Sequence, residues 1–193
     1  GSVHRMSKEA IAGAQKLGGN VTALVLGANA ESLAQELSSV EIDKTLIVNH
    51  DMVSTYNSDG YTKVVTKVIE STDPDVIIAG HSYQTRDFMP RVSARLDIPF
   101  ISDVTMVDGD NYTKQVLNAK LNCTISSSSE KKILSFQSAC FSEEDIQNGS
   151  SSSETIDIEL DSSKVKSISE EPFQESASEV DLESADLVVS VGR

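Results

Sequence analysis

The sequence predicts an α/β domain: a mostly parallel sheet with helices on both faces, and an antiparallel extension after residue 100. Three observations carry that expectation. Short runs that are apolar throughout recur at Val21–Leu26 (V-T-A-L-V-L), Lys44–Val48 (K-T-L-I-V) and Asp75–Ala79 (D-V-I-I-A). A strand apolar on both faces is covered on both, which is the habit of parallel sheets. Segments with helical periodicity lie between these runs, as connections in such a sheet must. Beyond Pro99 the helical periodicity stops and extended patterns follow one another.

Taken in order, Ser7–Leu17 sets Ile11, Ala14 and Leu17 on one helical face and stops at Gly18-Gly19, a glycine helix end. After the first apolar strand, Ala30–Ser38 gathers Leu33, Ala34 and Leu37 into a short helix. Asp59–Glu70 carries Tyr61, Val64, Val65, Val68 and Ile69, the stripe of an amphipathic helix, with Ser58 as its expected cap. A polar loop after Ala79 leads to a helix expected from Asp87 to Leu96, with Asp87 as its cap and Pro90 in its first turn. The order opens with a helix, whereas a right-handed crossover places a strand first. A strand upstream of Gly1 is therefore expected.

The extended segments are Val104–Val107, Tyr112–Ile125 and Lys132–Phe136, with serine-rich loops at Ser126–Ser129 and Ser150–Ser153. Thr155–Leu160 (T-I-D-I-E-L) alternates and is expected as a further strand. These patterns divide the chain into an α/β domain over 1–160, a partly ordered acidic linker over 161–186, and a strand opening a second domain over 187–193. Cys123 and Cys140 fit no metal spacing. A hairpin turning at Ser126–Lys132 would set Cys123 near Ser135 and Cys140 near Asn118, too far offset for a disulfide. Free thiols in a reducing compartment are the reading that follows.

Charge is distributed unevenly. Residues 1–140 carry 16 acidic and 13 basic side chains, a net of −3, and residues 141–193 carry 14 and 3, a net of −11. Nucleic acid and anionic membranes need a basic footprint, so neither is expected as a partner. No apolar run approaches the roughly 20 residues that span a bilayer, so no membrane insertion is expected.

The stretch Gly80–Arg91 (G-H-S-Y-Q-T-R-D-F-M-P-R) bears the closest reading for chemistry. A helix N-terminus after a strand attracts anions, and Arg86, Arg91 and Arg95 add positive charge. Against a phosphate site, the stretch holds a single glycine rather than a phosphate-loop set, and Asp87 would occupy the dipole itself. His81 lies beside Ser82 and Tyr83 with no carboxylate in fixed sequence relation, weak grounds for a triad. Asp103, in P-F-I-S-D-V, reads as a ligand or as a carboxylate bonded to backbone N–H groups. His4 and His50 are more isolated still. No catalytic and no metal-binding residue is assigned.

Four segments resemble the alpha subunit of electron transfer flavoproteins: Glu9–Gly19, Gly80–Leu96, Ile101–Val104 and Ala185–Arg193. The second is the most specific, with a basic residue before P-R-V-S-A-R-L and P-F-I-S-D shortly after. The resemblance covers the amino-terminal domain of that subunit, a three-layer fold of the nucleotide-hydrolase or stress-protein kind. It implies an FAD-containing heterodimeric carrier that takes electrons from flavoprotein dehydrogenases, as in fatty acid β-oxidation. The chain would be its structural and docking domain, without substrate turnover of its own. The expected partners are the beta subunit and, transiently, the dehydrogenases. FAD is expected in the full-length protein and not in this fragment. Arg193 alone matches a flavin contact, in S-V-G-R where the family reads S-G-G-R-G. Val116–Lys120 and Gln137 also depart from the family pattern. The resemblance implies a bacterial cytoplasmic location or, alternatively, the mitochondrial matrix. The alternative function is an adenine-nucleotide-binding domain like the universal stress proteins.

Overall fold

The computed structural model describes residues 2–159, 165–167, 169–170, 187 and 189–191. Its first half alternates helix and strand: α1 (Arg5–Leu17), β1 (Thr22–Leu26), α2 (Ala30–Leu37), β2 (Lys44–Val48), α3 (Ser58–Thr72), β3 (Val76–Gly80) and α4 (Tyr83–Leu96). Five strands follow: β4 (Phe100–Asp108), β5 (Asn111–Val116), β6 (Leu121–Ser126), β7 (Lys132–Phe136) and β8 (Ser152–Thr155). They form a three-stranded parallel sheet in the order β1-β2-β8 and a five-stranded sheet in the order β3-β7-β4-β5-β6. The α/β class expected from the apolar runs is the one observed.

The buried stripe of α3 is the one its periodicity predicts, with Val64, Val65, Val68 and Ile69 all inside. Val65 and Ile69 join Phe88, Met89 and Val92 of α4 over β3, while Val64 and Val68 join Leu46 and Val48 of β2. α1 and α2 cover the other side of the first sheet, where Ile11, Ala34 and Leu37 pack with Val25 and Ile47. Leu17, at the far end of α1, is left 40% exposed.

The local punctuation differs from expectation at three helix starts. α1 begins two residues early because the His4 Nδ1 accepts the Met6 amide, an unusual cap. Asn57, not Ser58, caps α3, its Oδ1 accepting the Gly60 amide at 2.7 Å while its Nδ2 donates to the Met52 carbonyl. Ser82, not Asp87, caps α4, so the loop after β3 is only two residues long. Pro90 therefore lies inside α4 rather than in its first turn, and the Arg86 carbonyl goes without the amide that another residue would supply.

The larger correction concerns β7. The expected hairpin between Leu121–Ser126 and Lys132–Phe136 does not form. β7 runs instead into the gap between β3 and β4 and pairs with both in parallel. β6 pairs with β5, antiparallel, so Cys123 faces Lys114 rather than Ser135. Both cysteines are free thiols, and burial pushes that of Cys140 up to about 11. The expected extended run Tyr112–Ile125 is broken by a turn in which Leu117, Asn118 and Ala119 all take positive φ. Ser152–Thr155 forms the last strand, three residues ahead of the expected one, because its pairing partner Lys44–Ile47 fixes the register. Ile156 and Ile158 still reach the core beside Val53 and Val68. Of the expected strand at 187–191, Leu187, Val189 and Val191 are exposed and belong to no strand. The linker at 161–186 lies for the most part outside the described residues.

Glu9 ties these layers together. It is only 3% exposed, and its two oxygens accept the Arg5 Nε–H at 2.8 Å and the Ala139 amide at 3.1 Å, linking α1 to the chain beyond β7. Glu9→Ala removes both bonds to a buried carboxylate and is expected to cost about 1–3 kcal/mol in urea unfolding. A loss below about 0.5 kcal/mol, the range of surface substitutions, would show that the link carries no stability.

Candidate functional site

In open α/β sheets, ligands gather beyond the carboxyl ends of the strands. Here those ends belong to β3, β7 and the first part of β4 in one sheet, and to β1, β2 and β8 in the other; the polar side chains gather at the first group. β3 closes on Gly80, where a Cβ would stand 2.8 Å from Met6 Cβ and 2.9 Å from the Met6 carbonyl oxygen. Only glycine lets the first turn of α1 press so close. The chain then turns at His81, whose amide donates to the Phe136 carbonyl at 2.7 Å and so holds the loop onto β7.

The β4–β7 register slips between Ile101 and Val104, with one more residue on β4 than on β7. Asp103 sits in this bulge at φ 62°, a left-handed conformation that aspartate tolerates better than most residues. The bulge aims the Asp103 amide at Ser135 Oγ, 3.2 Å away. Ser135 is fully buried, the one hydroxyl within the run K-I-L-S-F.

Three side chains converge at this point. His81 Nδ1 lies 2.8 Å from Ser135 Oγ, and His81 Nε2 lies 3.8 Å from Asp103 Oδ1. The Ser135 oxygen accepts the Asp103 amide, and its own proton points to Nδ1 in the tautomer that carries its proton on Nε2. That tautomer is the one the Asp103 charge favours, since it turns the ring N–H toward the carboxylate. Burial lowers the His81 pKa. The Asp103 charge opposes that shift, and the Arg86 and Lys114 charges add to it. Lys114 donates to Ser102 Oγ at 3.1 Å beside the same bulge.

A serine, a histidine and an aspartate in series invite comparison with a hydrolase. The geometry argues otherwise. A nucleophile must meet its substrate, and Ser135 has no exposed surface. Its hydroxyl is also engaged within the protein, by the His81 ring and by the Asp103 amide. The cluster is a polar knot across three strand ends, hydrogen-bonded through Ser135, with Asp103 Oδ1 near the ring at 3.8 Å.

The arginines of Gly80–Arg91 disperse. Arg91 pairs with Asp59 at 3.1 Å and with Asp87 at 3.7 Å. Arg86 lies over the Tyr83 ring, 5.7 Å from its centroid, and Arg95 is exposed near the end of α4. The α4 N-terminus is already served by the Ser82 hydroxyl, which accepts the Thr85 amide. Asp87 accepts instead from the Tyr56 hydroxyl at 2.7 Å.

Sequence reasoning took up His81 and Asp103 separately and missed Ser135, which joins them. A polar residue in an otherwise apolar central strand is the signal that could have found it. His4 and His50, read as isolated, both cap helical turns through Nδ1. Arg193 lies outside the described residues.

A cavity of about 290 Å³ is lined by Arg5, Glu9, Phe141, Ser142, Glu143 and Glu144. It is small for a dinucleotide, and its three carboxylates oppose a diphosphate. Among the described residues no cluster of three or more His, Cys, Asp or Glu side chains could hold a metal ion. No described helix is long and apolar enough to cross a membrane.

Comparison with known proteins gives one consistent family. The model of the electron transfer flavoprotein domain matches residues 1–162. The electron transfer flavoprotein subunit alpha of Bacillus subtilis is 31% identical over 201 residues, covering all of this chain and 61% of that protein. A probable mitochondrial subunit alpha from Saccharomyces cerevisiae is 29% identical, over 83% of this chain and 48% of its own length. The acryloyl-CoA reductase electron transfer subunit beta of Anaerotignum propionicum is 33% identical over half of this chain and 26% of its own. The chain thus spans less than two thirds of each of these relatives.

The knot predicts a pH dependence. His81 holds its proton less tightly in the folded chain than in the unfolded one, so its stabilising effect is complete above the unfolded value, near 6.5. Stability then declines as pH falls through the folded value, because the unfolded state binds more protons. Urea midpoints measured from pH 7.5 to pH 5 should fall more steeply for the parent chain than for His81→Gln. Parallel profiles would show that the ring does not titrate differently on folding.

Proposed function

The chain belongs to the electron transfer flavoprotein family, and from that premise we propose that it is the structural and docking domain of a heterodimeric, FAD-containing electron carrier. In this reading the flavin is gripped by the polypeptide beyond these residues, and the carrier takes electrons from flavoprotein dehydrogenases. The domain contributes shape and contact area and turns over no substrate of its own. The observation that carries the reading is the knot of His81, Ser135 and Asp103. It occupies the carboxyl ends of β3, β7 and β4, one of the places where a fold of this class can hold an anionic ligand.

The partner proposed is the beta subunit of the same carrier. Arg193 is the residue proposed to reach the flavin, placing a positive charge where it favours reduced, anionic forms. A reducing compartment suits the half-buried thiols of Cys123 and Cys140. The location proposed is a bacterial cytoplasm or, alternatively, the mitochondrial matrix; the yeast relative is described as mitochondrial.

Co-expression with the beta subunit from the same genome tests the proposal. Native mass measurement should find a one-to-one complex. The 193-residue chain purified alone should show no flavin absorbance. Failure to associate, or a yellow protein from this chain alone, would overturn it.

A further inference from the structure

Beyond β8 the chain turns back along α3. Ile156 and Ile158 pack with Val53, Val64 and Val68, and the Glu159 carbonyl then accepts from Lys67 Nζ at 2.5 Å. Farther on, the Lys166 amide donates to Asp59 Oδ2 at 3.0 Å, and the Ser167 hydroxyl lies 3.5 Å from the same oxygen. The Ser169 hydroxyl donates to the Tyr56 carbonyl. The contacts step from Lys67 to Asp59 to Tyr56 as the chain advances from Glu159 to Ser169, so the segment runs antiparallel to the helix.

Asp59 has the most to do among these partners. Its Oδ2 serves the segment, and its Oδ1 accepts from Arg91 Nη1 of α4 at 3.1 Å. The Lys166 amide, and after it the charges of Arg91 and Lys63, hold the Asp59 carboxyl below the usual carboxylate range against the opposing effect of burial. Lys63 lies between Asp59 and Lys67 on one helical face. Its ammonium is buried with no hydrogen-bond partner among the described residues, and the Asp59 charge offsets that burial. Tyr56 is fixed in turn, its ring edge to face with that of Tyr61 at 4.8 Å and its hydroxyl on Asp87 of α4. The segment therefore closes over side chains that already join α3 to α4. Apolar burial adds little to its hold: Val165 is half-buried, and Lys166, Ser167, Ser169 and Glu170 are exposed. A stretch held by a few exposed hydrogen bonds opens at low free energy, apart from the fold beneath it.

We propose that Val165–Ser167 and Ser169–Glu170 form a clasp on α3 that opens and closes as a unit, with Asp59 as its latch and Arg91 as the residue that positions the latch. Arg91 engages Oδ1 and so turns Oδ2 toward the Lys166 amide. When the clasp is open, Asp59 is left to Arg91 and Lys63, and α3 and α4 stay packed. When it is closed, the acidic stretch is tied to the domain as far as Glu170. The clasp thus decides whether that stretch sets out from the start of α3 or is tethered only at Ile158, the last buried anchor among the described residues. The inference rests on these contacts and not on the redox reading.

Trypsin cleavage after Lys166, followed by mass, tests it, because cleavage of a segment that opens quickly tracks the population of its open form. Asp59→Ala should speed that cleavage about tenfold or more, the least that a hydrogen bond to a charged group is worth. Arg91→Ala should speed it about threefold, as for an exposed ion pair. Arg91→Lys keeps a charged donor for Oδ1 and should match the parent. Adding Arg91→Ala to Asp59→Ala should change nothing further, because both act through one contact. Glu70→Ala, which removes an exposed carboxylate elsewhere on α3, should also match the parent. Equal rates in the parent and Asp59→Ala would overturn the clasp. So would cleavage after Lys67 that quickens in step, since the helix itself would then be unfolding. Additive effects of the two substitutions would overturn the positioning role of Arg91. If Asp59→Ala does not fold, amide exchange of the parent chain decides: the Lys166 amide should exchange about tenfold more slowly than an unstructured one, and no slowing would overturn the proposal.

Discussion

Everything at the strand ends depends on β7 lying between β3 and β4. The segment Lys132–Phe136 is buried at all five positions and pairs with both neighbours in parallel. It reaches that position only after the β4–β5–β6 antiparallel excursion, so its pairing with β3 closes a loop of more than fifty residues. Such closure is entropically costly, though the cost grows only slowly with length. What offsets it is burial: Ile133, Leu134 and Phe136 are almost wholly removed from water. Each buried side chain of this size contributes about 1.5–3 kcal/mol.

Once β7 is in place, one polar side chain must be satisfied within an apolar strand. Ser135 is fully buried, and an unpaired hydroxyl there would cost several kcal/mol by transfer estimates, on the order of 2–7. The bulge at Asp103 delivers an amide to it, and the turn after Gly80 delivers an imidazole. The left-handed backbone of Asp103 and the absence of a side chain on Gly80 are conformational conditions of the same knot. The outcome is a buried serine tied to a half-buried histidine and to the bulge at Asp103, at strand ends of the kind that hold anions in many α/β proteins.

Much of this was legible from residues alone, and what was not has identifiable causes. Lys44–Val48 and the valine stripe of α3 were exact or nearly so, because continuous apolar runs and 3.6-residue periodicity are local signals. The place of β7 was not, since K-I-L-S-F suits a hairpin arm and a central parallel strand equally well. Only the pairing with β3, set by distant sequence, decides between them. The helix starts failed for a smaller reason. Asn57 and Ser58 are adjacent capping residues, and Asn57 prevails because its amide also reaches the Met52 carbonyl. Ser82 prevails over Asp87 because α4 starts directly after the strand, and Asp87 then accepts a bond from Tyr56. The knot was half visible: His81 and Asp103 drew notice as titratable groups near strand ends, whereas a serine in a strand carries no such mark.

The idea that this domain supports a cofactor without holding a nucleotide is tested most directly by calorimetric titration of the 193-residue chain with AMP. No saturable heat is predicted up to about 1 mM ligand, the weakest binding of any consequence, near −4 kcal/mol. Saturable micromolar binding that disappears in Arg86→Ala would contradict it, and would show that the strand ends open to a ligand after all.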